Sequence, residues 1–226
     1  MTYGRHVLDA LAADLAALDA STASLARTLA AVDDEVARRP SLLPDWSVGH
    51  VLTHVARNAD GMVRLVDWAL TGVPQPMYDS LDARNADIEA GAGRPATELV
   101  DDVVRSADRL GASLARLGTA PEGTLDRLLL FGPPRPDADP DTAAHALPAR
   151  RRQEVEIHHV DLGLDYRPAD WPEDFVERML VFVHRRSGAI DVVGEPAEVL
   201  AWRLGRGTGP SVRRLDGSAP GEAPPW

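Results

Sequence analysis

The stretch Trp46–Asp60, WSVGHVLTHVARNAD, places His50 and His54 one helical turn apart. Val51, Val55, Met62, Val63, Val66 and Leu70 recur around them at helical spacing. The segment therefore reads as a helix, capped at its start by Ser47 and ended by Gly72 and Pro74. Arg57 extends the line of His50 and His54 at i+7, so the three share a face. Polar groups on so apolar a helix need partners, because burying them unpaired costs roughly several kcal/mol each.

A second helix far downstream carries a matching stripe. In ARRRQEVEIHHVDLGLDY, expected to be helical from Ala149 to Leu164, Glu154 and His158 are i,i+4 and Asp161 continues their face. Val155, Ile157, Val160, Leu162 and Leu164 spread widely around this helix, which marks it as buried. Two imidazoles and one carboxylate make a His₂Glu set, which holds a divalent metal and leaves one position open, as catalytic zinc sites do. On spacing alone other readings stand. His50 and His54 can both ligate, His159 can replace His158 with Glu156 beside it, or the histidines can form a hydrogen-bonded core pair. His6, His145 and His184 stand alone.

Outward from these two stripes the chain reads as mainly α. Leu8, Leu11, Leu15, Leu18, Leu25, Leu29 and Val32 mark one long helix or two, ending near Arg38. RRPSLLPDW, with Pro40 and Pro44, breaks the pattern. VPQPMYDSLDARNADIEAGAGRP is a long connection, partly helical from Ser80 to Ala90. A third long helix runs from Pro95 to Leu117 on Leu99, Val103, Ala107, Leu110 and Leu114, and residues 118–148 are loop-rich. Four such helices suggest a four-helix bundle over residues 1–166, where metal sites are built from inward side chains. Residues 167–226 form a small α/β segment: a helix in WPEDFVERMLVFVHRRSG, a short one in AEVLAWRLGRG, a strand in SVRRLDG and a loose end, GSAPGEAPPW.

Composition narrows the function. The chain has 226 residues, 44% hydrophobic and 26% charged, with a net charge of -11. Its acidity disfavours nucleic acid, which selects basic faces. There is no stretch of ~20 apolar residues to span a membrane, and the first residues lack the apolar run of a signal peptide, so a cytoplasmic protein is expected, monomeric or homodimeric. The absence of cysteine means that any thiol chemistry needs a thiol from outside the protein.

The segments LLPDWSVGHVLTHVARNADGMVRLVDWALTG, MYDSLDARNADIEAGAGRP and RRRQEVEIHHVDLGLDY together resemble the mycothiol-dependent maleylpyruvate isomerase family, part of the wider DinB/YfiT-like group of metal-binding four-helix bundles. The similarity runs from about Leu8 to Trp171. It implies zinc held by His54, Glu154 and His158, with His50 orienting a ligand or touching substrate. It also implies a substrate arginine in the C-terminal segment. The family's W-L-x-G-R pattern meets WRLGR here, with an arginine in place of one apolar residue, which points to Arg206.

Mycothiol would supply the sulfur, bound as a thiolate that adds to the cis double bond of a maleylpyruvate-like diacid and is expelled after rotation. Such dianions need guanidinium partners, and Arg84 and Arg206 are the candidates. The alternative for Arg84 is an ion pair with Asp82, Asp87 or Glu89. Two further functions stay open: a mycothiol S-transferase used in detoxification, and a non-catalytic helical binding module. The module would have a closed metal site, with His50 as its fourth ligand.

Overall fold

The computed structural model describes residues 2–134, 138–188 and 191–223. The last three residues of the expected loose end, and residues 135–137 of the loop-rich stretch, lie outside the described residues. The chain partitions into two compact units, 1–158 and 159–226. That division falls ahead of the one expected after residue 166, because α6 carries the chain from one unit into the other.

The first unit is a bundle of long helices. Its helices are α1 (Thr2–Leu29), α2 (Asp34–Arg38), α3 (Val48–Thr71), α4 (Leu81–Ala92), α5 (Ala96–Ala115) and most of α6 (Leu147–Asp161). Helices α1, α3, α5 and α6 make the expected four. α3 packs along α5, and α1 also packs on α5. α6 is fastened to α3 by Arg151, which donates to the Val55 carbonyl at 3.0 Å and to Asn58 at 2.7 Å. It is fastened to α1 by Arg152, which donates to Ser21 at 3.1 Å, and by the buried hydrogen bond from Ser21 to Glu156. The core is aliphatic: Leu25 and Leu29 of α1, Met62 and Leu65 of α3, Leu99 and Leu110 of α5 and Val155 of α6 are all buried.

The local signals act as read. Asp33 caps α2 by accepting from the Val36 N–H, and the first expected helix is thus two. Ser47 caps α3 and a left-handed Gly72 ends it. Ser80 caps α4. Within residues 118–148 a two-residue antiparallel ladder pairs β1 (Leu128–Leu129) with β2 (Thr142–Ala143). α6 starts two residues before its expected start, because Pro148 is tolerated in a first turn, and ends before Leu164 at a left-handed Gly163.

α4 lies unusually close to α3. A methyl group built on Gly49 would overlap the Ala92 carbonyl, and one on Gly91 would overlap the Thr53 side chain. Two glycines therefore set the approach that brings the start of α4, with Arg84, over the middle of α3.

The second unit holds the expected α/β segment. α7 (Glu173–Ser187) packs on α8 (Pro196–Arg203), and β3 (Val192–Val193) pairs antiparallel with β4 (Arg213–Arg214), inside the SVRRLDG stretch. Val199, Trp202 and Val212 form its small core. No described helix is long and apolar enough to cross a membrane.

Candidate metal centre

Three side chains converge inside the first unit. His54 Nε2 lies 3.0 Å from His158 Nε2 and 3.2 Å from Glu154 Oε2, and His158 Nε2 lies 3.6 Å from the same carboxylate oxygen. The i,i+4 spacing on α6 stacks Glu154 and His158 one turn apart, and α3 supplies His54 from the facing wall. The three donor atoms lie within 4.8 Å of one another. Among the described residues no other group of three histidines or acids approaches in this way.

The electrostatics suit a cation. His54 is 4% exposed, and burial followed by the neighbouring His158 lowers its pKa from 6.5 to about 4, so its ring is neutral at pH 7. Burial alone would raise the pKa of Glu154. Hydrogen bonds from His158 and His54 outweigh it and hold the carboxyl well below its usual range. The cluster thus offers two imidazoles and one carboxylate anion. Donors on a tetrahedral zinc with bonds of about 2.0–2.1 Å lie roughly 3.3 Å apart, which the separations of 3.0–3.6 Å bracket. The residues fit a zinc-type ion with one position left over, and the donor set also accepts other divalent metals.

Arg84 stands at the edge of this cluster. Its Nη2 donates to His54 Nδ1 at 3.1 Å and its Nη1 to Asn85 at 2.9 Å, and its guanidinium lies over the Tyr78 ring at 5.9 Å. The expected alternative of an ion pair with Asp82, Asp87 or Glu89 is not what it makes. Because guanidinium can only donate, His54 Nδ1 must accept, and the ring proton of neutral His54 sits on Nε2. A metal at Nε2 would displace that proton to Nδ1 and open the Arg84 contact.

His50 is turned to another task. Its Nδ1 accepts from the Ser47 N–H at 3.1 Å and lies 2.7 Å from the Ser47 hydroxyl, completing a capping box at the start of α3. Its Nε2 faces Glu89 at 3.2 Å. With both ring nitrogens engaged it does not supply the fourth ligand of a closed site. The face assigned to Arg57 also divides: Arg57 pairs with Asp102 of α5 at 2.7 Å and with Asp60 at 2.9 Å.

Glu156 bonds Ser21, and His159 stacks on Tyr166 with ring centres 3.7 Å apart, so the His159–Glu156 alternative is not assembled. Asp161, expected to extend the Glu154 face, instead takes Arg206: Nε to Oδ1 at 3.0 Å and Nη2 to Oδ2 at 2.8 Å. Arg206 also donates to the Leu204 carbonyl. It is thereby committed as a strap within the second unit, and the expected substrate role of Arg206 gains no free donor edge.

Three neighbours of the cluster escaped the sequence reading. Trp46 packs edge-to-face with His54, ring centres 5.6 Å apart, and stacks on His50 with ring centres 6.2 Å apart. It also lines a surface pocket of about 580 Å³ with Arg38, Leu42, Leu43 and His50. Tyr78 is buried; its pKa is raised by burial and by the Glu154 charge, against opposing hydrogen bonds with Arg84 and Asn58. Asn58, one turn after His54, accepts from Arg151 at 2.7 Å, and burial lowers the pKa of Arg151 to about 10. A polar residue one turn beyond His54 was the available signal for Asn58. Trp46 and Tyr78 lie on connections, and nothing in their spacing announced them.

A helical bundle with an inward His₂Glu cluster is a scaffold with a candidate metal site. Two solved structures share the fold over nearly the whole chain: the crystal structure of the mycothiol-dependent maleylpyruvate isomerase, and that of a mutant carrying a histidine-to-alanine substitution. Each aligns with a TM-score of 0.83 and 26% identity, covering 96% of this chain and 97% of the other. No curated protein sequence matches the chain. Residues 18–163 match the model of the mycothiol maleylpyruvate isomerase N-terminal domain, and the chain belongs to that family.

Proposed function

We propose that this chain is a cytoplasmic, metal-dependent isomerase that uses mycothiol to convert a maleylpyruvate-like cis diacid to its trans isomer. The observation that carries the reading is the convergence of His54, Glu154 and His158 within 4.8 Å, in a family and beside structural neighbours of this activity. When bound, the metal lowers the pKa of a thiol, and the thiol supplies the nucleophile that makes a double bond rotatable.

The chain's own residues supply the rest. Glu154, neutral His54 and His158 would hold the cation and leave one position for sulfur. Arg84, beside His54 Nδ1 at the edge of the cluster, would offer its guanidinium to a substrate carboxylate. The Tyr78 ring lies under the Arg84 guanidinium, and Asn58 holds Arg151 beside the cluster. The Trp46 pocket gives room for the body of the thiol beside the donors. An open fourth position separates this reading from a closed binding module.

The test is direct. Zinc-loaded protein is given mycothiol and maleylpyruvate and the trans product is followed; a second arm replaces maleylpyruvate with an electrophile that cannot eliminate. Turnover in the first arm, lost together with stoichiometric zinc in His54→Ala, is the expected result. Thiol conjugation in the second arm alone would make the protein an S-transferase. Failure to bind a divalent metal would overturn the reading.

A further inference from the structure

Arg151 meets the protein with one corner of its guanidinium. It lies on α6 and is 2% exposed. Among the described residues its hydrogen bonds both come from Nη1, to the Val55 carbonyl and to Asn58. These acceptors are neutral. Glu154 and Asp60 act on it only through space, and with a pKa of about 10 it is still charged at neutral pH. That leaves the edge formed by Nε and Nη2, which carries parallel N–H donors suited to the two oxygens of a carboxylate. Elsewhere in this chain the same edge has an acid on it: Arg206 gives Nε and Nη2 to the two oxygens of Asp161, at 3.0 and 2.8 Å.

The free edge of Arg151 is not sealed in, since neither Nε nor Nη2 is fully buried. The residue lines a cavity of about 300 Å³ between α1, α5 and α6, a volume large enough for a small organic molecule. The walls are aliphatic: Leu25 and Leu29 from α1, Val103 and Ala107 from α5, and Val155 from α6. Arg151 is the one basic residue among them. Asp19 and Asp108 also line the cavity and are exposed, so they stand at its mouth while the buried Arg151 stands at its floor. His54, Glu154 and His158 do not line it.

We propose that this cavity is a binding site for a small monocarboxylic acid with a compact apolar body, its carboxylate held in a two-point contact by Nε and Nη2 of Arg151. The apolar body covers the aliphatic walls and removes them from water. The contact at the floor is a charge-assisted pair in a low-dielectric setting, whereas Asp19 and Asp108 sit in water and act weakly on the distant carboxylate. A second carboxylate at the far end of the ligand would meet those two acids directly, so the site selects monoacids over diacids. It is separate from the metal cluster and goes beyond the isomerase reading.

The experiment titrates the full chain with benzoate, terephthalate and benzamide, reading heat of binding and thermal unfolding. Benzoate is expected to bind and to raise the unfolding temperature. Terephthalate carries a second carboxylate opposite the first and benzamide carries no charge, and each is expected to bind about tenfold more weakly or worse. Ala107→Phe fills the cavity, leaves Arg151 and its partners in place, and should abolish the benzoate response. Arg151→Lys keeps the charge but gives up the two-point edge, and should weaken benzoate by about tenfold. Should Arg151→Lys not fold, since Arg151 also fastens α6 to α3, Ala107→Phe decides the matter alone. The proposal is overturned if wild type does not bind benzoate, or binds it no better than benzamide or terephthalate. Unchanged benzoate affinity in Ala107→Phe or in Arg151→Lys overturns it too, and the former is what an acid seated on the metal or on Arg84 would give. The readout is binding, so a chain inactive as an isomerase leaves this outcome untouched.

Discussion

At the residue scale the state of His54 governs the site. Its Nδ1 is held by Arg84 and its Nε2 faces Glu154 and His158, so a metal must both displace a proton and loosen an arginine. Arg84→Gln removes a competing cation and frees Nδ1. Zinc affinity, measured by chelator competition, should rise by about tenfold, while KM for the diacid rises because a carboxylate partner is lost.

The low pKa of His54 also has a sign. The unfolded imidazole takes its proton near pH 6.5 and the folded one only near pH 4, so between these values the unfolded chain holds more protons. The contribution is complete above pH 6.5 and is lost as pH falls to about 4, an effect of about 3 kcal/mol. Urea unfolding of the metal-free protein should show stability climbing from pH 4.5 to 6.5. His54→Gln should flatten that part of the climb, leaving what Glu154 contributes at more acid pH.

At the scale of elements, α3 was the most legible part of the chain. Ser47 and Gly72 stand at its two ends and both do what such residues do at helix termini. The capping box was harder to read, because position N3 holds His50 rather than the usual Glu or Gln. A histidine one turn from a ligand invites a chemical role, and only the structure shows it turned back on Ser47. His50→Ala should therefore lower unfolding free energy by about 1 kcal/mol, as a lost cap does, and leave zinc stoichiometry unchanged.

The pairing of α4 with α3 was illegible for a different reason. Gly49 is the second residue of α3 and Gly91 the last but one of α4, where nothing in the sequence marks them out, and their purpose appears only when Ala92 and Thr53 press against them. Gly49→Ala should destabilise the protein by about 1–3 kcal/mol in urea unfolding, the range for overpacking, and blunt the Arg84 effects by moving α4 outward.

At the scale of the molecule, the bundle, the small α/β unit and the His₂Glu set were all readable, since apolar periodicity and i,i+4 spacing are local signals. What was not readable came from chain segments meeting across sequence. Trp46 and Tyr78 reach the cluster from connections, and Arg206 is taken up by Asp161. WRLGR did carry a clue. Its first arginine, Arg203, stands where the resembled pattern asks for an apolar residue, and that residue is the buried, unpaired one. Trp46 gives the surface pocket it lines with His50 an aromatic wall and packs against His54 on its other contact. Trp46→Ala should raise KM for mycothiol several-fold while KM for the diacid moves little.

The side chains of this protein are also chemically quiet. With neither thiol nor primary amine among them, and guanidinium groups as its only permanent cations, the chain offers an electron-poor alkene little to attack. The borrowed-thiol chemistry proposed above would thereby spare the protein covalent self-poisoning. Intact-protein mass after incubation with excess N-ethylmaleimide at neutral pH should show no side-chain adduct, so the same molecule can meet its reagent repeatedly without being consumed by it.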